Sequence, residues 1–301
     1  MGEALVDLVV SLDGSIRPYL GGGPYNTART LGRLDVPVAF LGRVSDDGFG
    51  VQIMERLRAD GVSTDLVLTT SDPTTLALAT LDATGAATYR FYTQGTSVPG
   101  ITAAMAAAQL PSPIHALHVG TLALVLDPLA SAVESVVAGA DADTLVFVDP
   151  NIRSRVIADR AAYLVRLGRV LARADVVKVS DDDLRWMAPD ELPQDAARAL
   201  LGDGDAKPGP STVLLTLGAD GVAVVTRSAG VHVPSVRVDV ADTIGAGDSF
   251  AGGVLAWWDD HDRPAFTTPG VAVAATEFGC RVAAATVSVA GANPPTRAQL
   301  R

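Results

Sequence analysis

Five apolar runs of strand length punctuate this chain: Val38–Leu41, Ala116–Val119, Leu145–Val148, Val176–Val179 and Val213–Thr216. Segments with helical periodicity separate them. Strands that are apolar at nearly every position are buried on both faces, which a parallel sheet covered by crossover helices provides and a half-solvated antiparallel sheet does not. The expectation is a doubly wound α/β core. Two stretches break the rhythm, Leu5–Leu20 and Thr75–Thr93, the second with a turn near Asp82–Gly85. Each reads as a hairpin, and together they suggest a small inserted sheet. Its exposed edges and face must be covered by closing over a ligand or by packing on another subunit.

The 301 residues are enough for a substantial core, and 48% are hydrophobic although only 5% are aromatic. The formal net charge is −11 with Lys and Arg scattered, which argues against nucleic acid or an anionic membrane as partner. No uninterrupted apolar stretch approaches the roughly 20 residues of a membrane span, and the N-terminus lacks the pattern of a signal peptide. The reading is a soluble, cytoplasmic enzyme. One cysteine, Cys280, excludes an internal disulfide and fits packing in an Ala-rich helix. Gly202–Pro210 reads as a surface loop and not as a domain boundary.

The most informative stretch is Asp242-Thr243-Ile244-Gly245-Ala246-Gly247-Asp248-Ser249-Phe250-Ala251-Gly252-Gly253, which runs into the apolar Val254, Leu255, Trp257 and Trp258. A glycine turn opening a helix lets backbone approach an anion. The unpaired amides of Gly245, Ala246 and Gly247 and the helix dipole can then hold negative charge. Asp248 in the first turn could take a proton from an attacking hydroxyl. An Asp at a helix start can equally be no more than a cap, so this segment alone leaves both readings open. Upstream, Gly21-Gly22-Gly23-Pro24-Tyr25-Asn26-Thr27-Ala28 is a second glycine turn with Pro24 at a helix start, and it leaves Asn26 able to donate to and accept from a diol.

Both segments resemble the two signatures of the ribokinase-like, or phosphofructokinase-B, family of carbohydrate kinases. The downstream one is similar to the pattern D-T-x-G-A-G-D-x-F, and the upstream one continues through Leu31–Leu34 to Gly42–Gly50. The resemblance implies a ribokinase-like fold over residues 1–301, a single domain with lid segments at about 8–20 and 75–95. It implies ATP-dependent phosphorylation of a sugar hydroxyl, with Asp248 as base and Gly245, Ala246 and Gly247 as anion hole. Asp7, Gly22 and Asn26 would hold the sugar. Asp149-Pro150-Asn151-Ile152-Arg153 resembles the D-x-N-x-R segment of members acting on fructose or on keto-deoxy sugar acids, with Arg153 suited to a carboxylate or phosphate, or else to a structural ion pair. Phe91–Thr96, Tyr92 foremost, would face the sugar from the lid.

Thr216-Leu217-Gly218-Ala219-Asp220-Gly221 resembles the family's turn beside the nucleotide, and Lys178 joins Thr216, Gly218 and Gly221 as a nucleotide-binding candidate. Where the family shows Asn-x-x-Glu for outer-sphere Mg²⁺, this chain has Ser180-Asp181-Asp182-Asp183, so Asp183 would carry that charge. Asp242 with the carbonyl of Ile244 matches part of a monovalent-cation site, K⁺ in many members, which Gly291–Pro294 would complete. The family's first strand precedes the residues matching Gly2-Glu3 and almost nothing precedes them here, so the strand is short or the start truncated. The resemblance favours a ketose such as fructose, then 2-keto-3-deoxygluconate, then a nucleoside, and often a homodimer through the lid. A non-catalytic sensor on the same fold is the alternative of a different class, and a dinucleotide-dependent oxidoreductase lacks its glycine spacing.

Overall fold

The structure is a computed structural model and describes residues 1–81, 87–203 and 207–300. Twelve strands are found among these residues. They are β1 Leu5–Val10, β2 Ile16–Gly21, β3 Arg43–Ser45, β4 Leu68–Thr70, β5 Leu76–Leu81, β6 Ala87–Tyr92, β7 Ala116–Gly120, β8 Leu145–Asp149, β9 Val176–Ser180, β10 Thr212–Thr216, β11 Val222–Thr226 and β12 Gly230–Val233. The α-helices are α1 Gly23–Arg33, α2 Gly48–Ala59, α3 Ala103–Gln109, α4 Leu129–Ala138, α5 Arg160–Leu171, α6 Asp181–Met187, α7 Pro193–Leu200, α8 Ala246–Asp260 and α9 Pro269–Val287.

The main sheet has the order β12-β11-β10-β9-β8-β7. Strands β7 to β10 are parallel, as their unbroken apolar runs predict, while β11 and β12 return antiparallel at one edge. Side chains alternate between the faces. Val146, Val148, Val177, Val179, Val213 and Leu215 join one cluster, packed with side chains of α4, α5 and α7. Leu145, Phe147, Val176 and Leu214 join the other, packed with α8 and α9. Lys178 falls between Val177 and Val179, so the same parity sends it toward α8. Helix α9 is long and apolar enough to cross a membrane by length and composition, but it carries Glu277 and Arg281 and packs along α8. The two helices meet at Gly253 and Gly279, where a Cβ on Gly253 would lie 2.8 Å from the Gly279 Cα.

The two stretches outside the βα rhythm form one four-stranded sheet, β2-β1-β5-β6, with β1 parallel to β5. The turn expected near Asp82–Gly85 lies at positions 82–86, outside the described residues, as does part of the Gly202–Pro210 loop, whose ends join through Gly202 N donating to Pro210 O at 3.0 Å. Val38–Leu41 is not a strand. Among the described residues it makes a single bridge, Ala39 to Ser63, with Phe40 N donating to Ser63 O at 3.0 Å and Ser63 N to Val38 O at 2.9 Å. Cys280 is buried in the core, which pushes its thiol up to about 11.

Candidate active site

The C-terminal ends of β8, β9 and β10 point to one side of the main sheet, where ligands of open α/β sheets gather. Helix α8 begins there. Gly245 is its N-cap with φ 76°, a left-handed conformation that glycine adopts without penalty. The Ala246 amide donates to Thr243 O at 3.2 Å, whereas the amides of Gly245, Gly247 and Asp248 find no acceptor among the described residues. These are the orphan donors of a helix start, an arrangement suited to receiving an anion. Lys178 lies beneath it: a Cβ on Gly247 would stand 2.9 Å from Lys178 Nζ. The Lys178 ammonium is buried and paired with Asp149 at 3.1 and 3.2 Å.

Asp248 is buried in the first turn of α8, and its Oδ2 accepts from Asn26 Nδ2 at 2.9 Å. Thr27 Oγ1 donates to the Asp248 carbonyl at 3.3 Å, so α1 and α8 are stitched together at this point. Burial raises the Asp248 carboxyl above the ordinary range, opposed by the Asn26 hydrogen bond and by the charges of Lys178 and Arg153. Asp7 on β1 is pushed up to about 6 by burial, against the pull of Arg153 and with the repulsion of Asp248. These mutual influences put Asp7, Arg153 and Asp248 within electrostatic reach of one another around the space beside the start of α8. Gly21 and Gly22 close its floor: a Cβ on Gly21 would overlap Asp7 Oδ2, and one on Gly22, where φ is 115°, would lie 2.6 Å from Glu3 O.

Arg153 has no carboxylate partner among the described residues. It donates through Nη1 to the Asn151 carbonyl and side chain at 3.2 and 2.6 Å. Tyr92 is not brought to the pocket. Register pairs Asp7 with Ala77 and Ala77 with Phe91, so Phe91 shares the Asp7 face and its neighbour Tyr92 takes the opposite one. Tyr89, two residues from Phe91 and stacked with it, is the aromatic whose phenol is raised by burial and by the charge of Asp7.

The metal candidates are held by the protein itself. Asp183 caps α6: its Oδ2 accepts from Ser180 N and Oγ at 2.8 and 2.7 Å, and its Oδ1 from Ile152 N at 2.7 Å. It thereby ties the Asp149–Arg153 segment to the end of β9. No cluster of three or more His, Cys, Asp or Glu able to hold a metal occurs among the described residues. Asp242 accepts from Ile244 N at 3.0 Å and from Gly291 N at 2.9 Å, which joins the two loops expected to meet there. On the nucleotide side, Thr216 ends β10 opposite Ser180, and Gly218 and Gly221 turn the chain at φ 58° and 95° into β11.

Comparison with known proteins agrees with this geometry. Residues 3–299 match the model of the pfkB family carbohydrate kinases. A fructokinase of Rhizobium leguminosarum bv. trifolii is 37% identical over 265 residues, covering 85% of this chain and 77% of the relative. The chain belongs to the pfkB family of carbohydrate kinases. A fructokinase of Klebsiella pneumoniae is 32% identical over 92% of this chain and 90% of its own. The solved fructokinase of Xylella fastidiosa with bound ATP superposes with a TM-score of 0.88 at 28% identity, covering 99% of this chain and 95% of that one. The aminoimidazole riboside kinase of Salmonella enterica, complexed with aminoimidazole riboside and an ATP analogue, gives 0.83 at 26% identity over 100% and 96%.

This carbohydrate kinase therefore has the ribokinase-like fold and is an ATP-dependent sugar kinase. Three residues around the pocket escape a reading of its motifs. Glu3 is fully buried, accepts from Gly23 N and Ala123 N at 3.1 and 3.3 Å, and is pushed up to about 8 by that burial. Asp149 is pushed up to about 6 by burial, against the opposing charge of Lys178. Thr121 follows β7 with φ 54° and a buried hydroxyl. Glu3 and Asp149 stood inside recognised segments without a role, and Thr121 carries no sequence signal.

Proposed function

We propose that this kinase transfers the γ-phosphoryl group of ATP to a hydroxyl of fructose, with Asp248 as the general base. The observation that carries the proposal is Asp248 buried, oriented by Asn26 and set in the first turn of α8 beside the unpaired amides of Gly245 and Gly247. Asp248 takes the hydroxyl proton, the sugar oxygen bonds to the γ-phosphorus, and the β–γ bridge breaks to release ADP. The amides and Lys178 stabilise charge on the transferred group. Mg²⁺ would supply further neutralisation of the phosphates. With both Asp183 oxygens engaged, that ion would be held by the nucleotide and by water rather than by direct carboxylate ligation.

Asp7, Gly22 and Asn26 would hold the sugar, with Phe91 and Tyr89 on the lid face above Asp7. Thr216, Gly218 and Gly221 would line the nucleotide, and the joined loops at Asp242 and Gly291 would take a monovalent cation such as K⁺. Fructose is favoured because the relatives cited from Rhizobium and Klebsiella are fructokinases. The guanidinium of Arg153, bonded to Asn151 and without a carboxylate partner among the described residues, favours a second acceptor, a sugar acid such as 2-keto-3-deoxygluconate, whose carboxylate it could grip. Exposed Leu12 and Ile16 beside the small sheet support a homodimer through the lid. ADP release with ATP and Mg²⁺ against fructose, 2-keto-3-deoxygluconate, ribose, tagatose and adenosine tests the assignment. Selective turnover of fructose is expected, and selective turnover of another acceptor would overturn it.

A further inference from the structure

Thr121 joins β7 to a short 3₁₀ turn, Thr121–Leu124, and its φ of 54° places a β-branched residue in the left-handed region. Such a conformation is costly for threonine and persists where the surroundings over-determine it, most often at functional sites. Gly120 before it cannot vary, because a Cβ there would overlap the Asp149 carbonyl. Glu3 fixes the other side, accepting from Gly23 N at the start of α1 and from Ala123 N in the turn itself. Two walls of the pocket are thus clamped by one buried carboxylate.

The clamp leaves the Thr121 hydroxyl buried with no hydrogen-bond partner. A buried hydroxyl without a partner is expensive unless a ligand or water satisfies it. A Cβ on Gly23 would overlap Thr121 Oγ1 and come within 3.4 Å of Asp248 Oδ1, so both oxygens border the same small space. Asp248 Oδ1 is the oxygen that Asn26 leaves free, since Asn26 binds Oδ2. Asn26 Oδ1, on the first turn of α1, is likewise buried without a partner. A hydroxyl, a carboxylate oxygen and an amide oxygen that lack partners suit a polyol, whose neighbouring hydroxyls both donate and accept.

We propose that Thr121 is a substrate-contacting, specificity-determining residue whose hydroxyl bonds the sugar hydroxyl adjacent to the one that Asp248 deprotonates. This rests on the sugar-kinase reading of the pocket. A site built to hydrogen-bond a substrate hydroxyl discriminates against the analogue that lacks it. The test compares wild type, Thr121→Ser and the near-isosteric Thr121→Val on the preferred sugar and its deoxy analogues, with KM for ATP and the melting temperature as controls. Thr121→Val is expected to raise the sugar KM about tenfold with ATP KM unmoved, while Thr121→Ser stays within about threefold of wild type. For one deoxy analogue, wild type and Thr121→Val are expected to converge.

An unchanged sugar KM in Thr121→Val, or an equal loss on the sugar and on every deoxy analogue, overturns the assignment. Should Thr121→Val fail to fold, Thr121→Ala carries the same comparison. Absence of ADP release by wild type with every sugar would fail the kinase reading instead. Calorimetric sugar affinity then decides the Thr121 contact alone, with undiminished affinity in the variant refuting it.

Discussion

Replacing Gly252 by alanine sets two known effects against each other at the contact that holds the active site together. Alanine in a helix interior is favoured over glycine by about 1 kcal/mol. At Gly252, however, the added Cβ would lie 2.6 Å from both Cβ and Cγ2 of Thr30 on α1, and 3.3 Å from Thr27 O. Carbon atoms rest at about 3.5–4.0 Å, so α8 must retreat from α1 by on the order of 1 Å. Thr30 is β-branched and its hydroxyl is engaged with Asn26 O at 2.8 Å, which leaves it little freedom to rotate away. Overpacking of this kind costs about 1–3 kcal/mol, so against the propensity gain the net loss should reach up to about 2 kcal/mol, a few degrees in melting temperature. The retreat also stretches the Asn26–Asp248 bond, and a 1 Å misplacement costs on the order of 100-fold in rate. Gly168→Ala is the control, because Gly168 lies within α5 with open space around its Cβ position and should gain up to about 1 kcal/mol with unchanged turnover. Thermal melting and kcat/KM for both variants are the assay. A Gly252→Ala protein with wild-type melting and turnover would refute the packing argument, and one with reduced melting but full turnover would refute the link from that contact to Asp248.

Two further outcomes concern pH. Asp7 is raised to about 6, and the proposed sugar contact is stronger with its ionised form, so the sugar KM should climb as pH falls below about 6 while the ATP KM stays level; a flat sugar KM between pH 5 and 8 would contradict this. Glu3 is raised from 4.5 to about 8, so its protonated form favours the fold: that contribution is complete below about 4.5 and is lost as pH rises to 8. Wild type should therefore lose up to about 1.4 kcal/mol per pH unit across this window relative to Glu3→Gln, measured by urea unfolding, and parallel pH profiles would exclude the assignment.

The parallel strands were legible because burial on both faces leaves an apolar run, and β7 to β10 each extend such a run by a single residue. Asp248 and Asn26 were legible as separate motifs. Their hydrogen bond across 222 residues was not, since it depends on α1 and α8 meeting at Gly252, and one glycine in a small-residue stretch does not announce its partner. Tyr92 was misjudged because parity along a strand follows from register, and nothing in Phe91-Tyr92 says which side chain meets Asp7. The Lys178–Asp149 pair needed the same register, on β9 and β8. Val38–Leu41 carried strand composition, but among the described residues its one β-bridge is Ala39 to Ser63. Thr121 was invisible because threonine gives no hint of a left-handed backbone, and Glu3 because its carboxylate serves two amides brought together only by the fold.

The central claim is that Asp248 removes the proton from the acceptor hydroxyl, and Asp248→Asn tests it most directly. Asparagine keeps the size of the side chain and a carbonyl oxygen for Asn26 Nδ2, but it cannot take a proton. Sugar-dependent ADP release by the purified variant should fall by on the order of 10²–10⁴-fold while calorimetric affinities for ATP and sugar stay near wild type. Turnover within a few fold of wild type, with binding intact, would contradict the account.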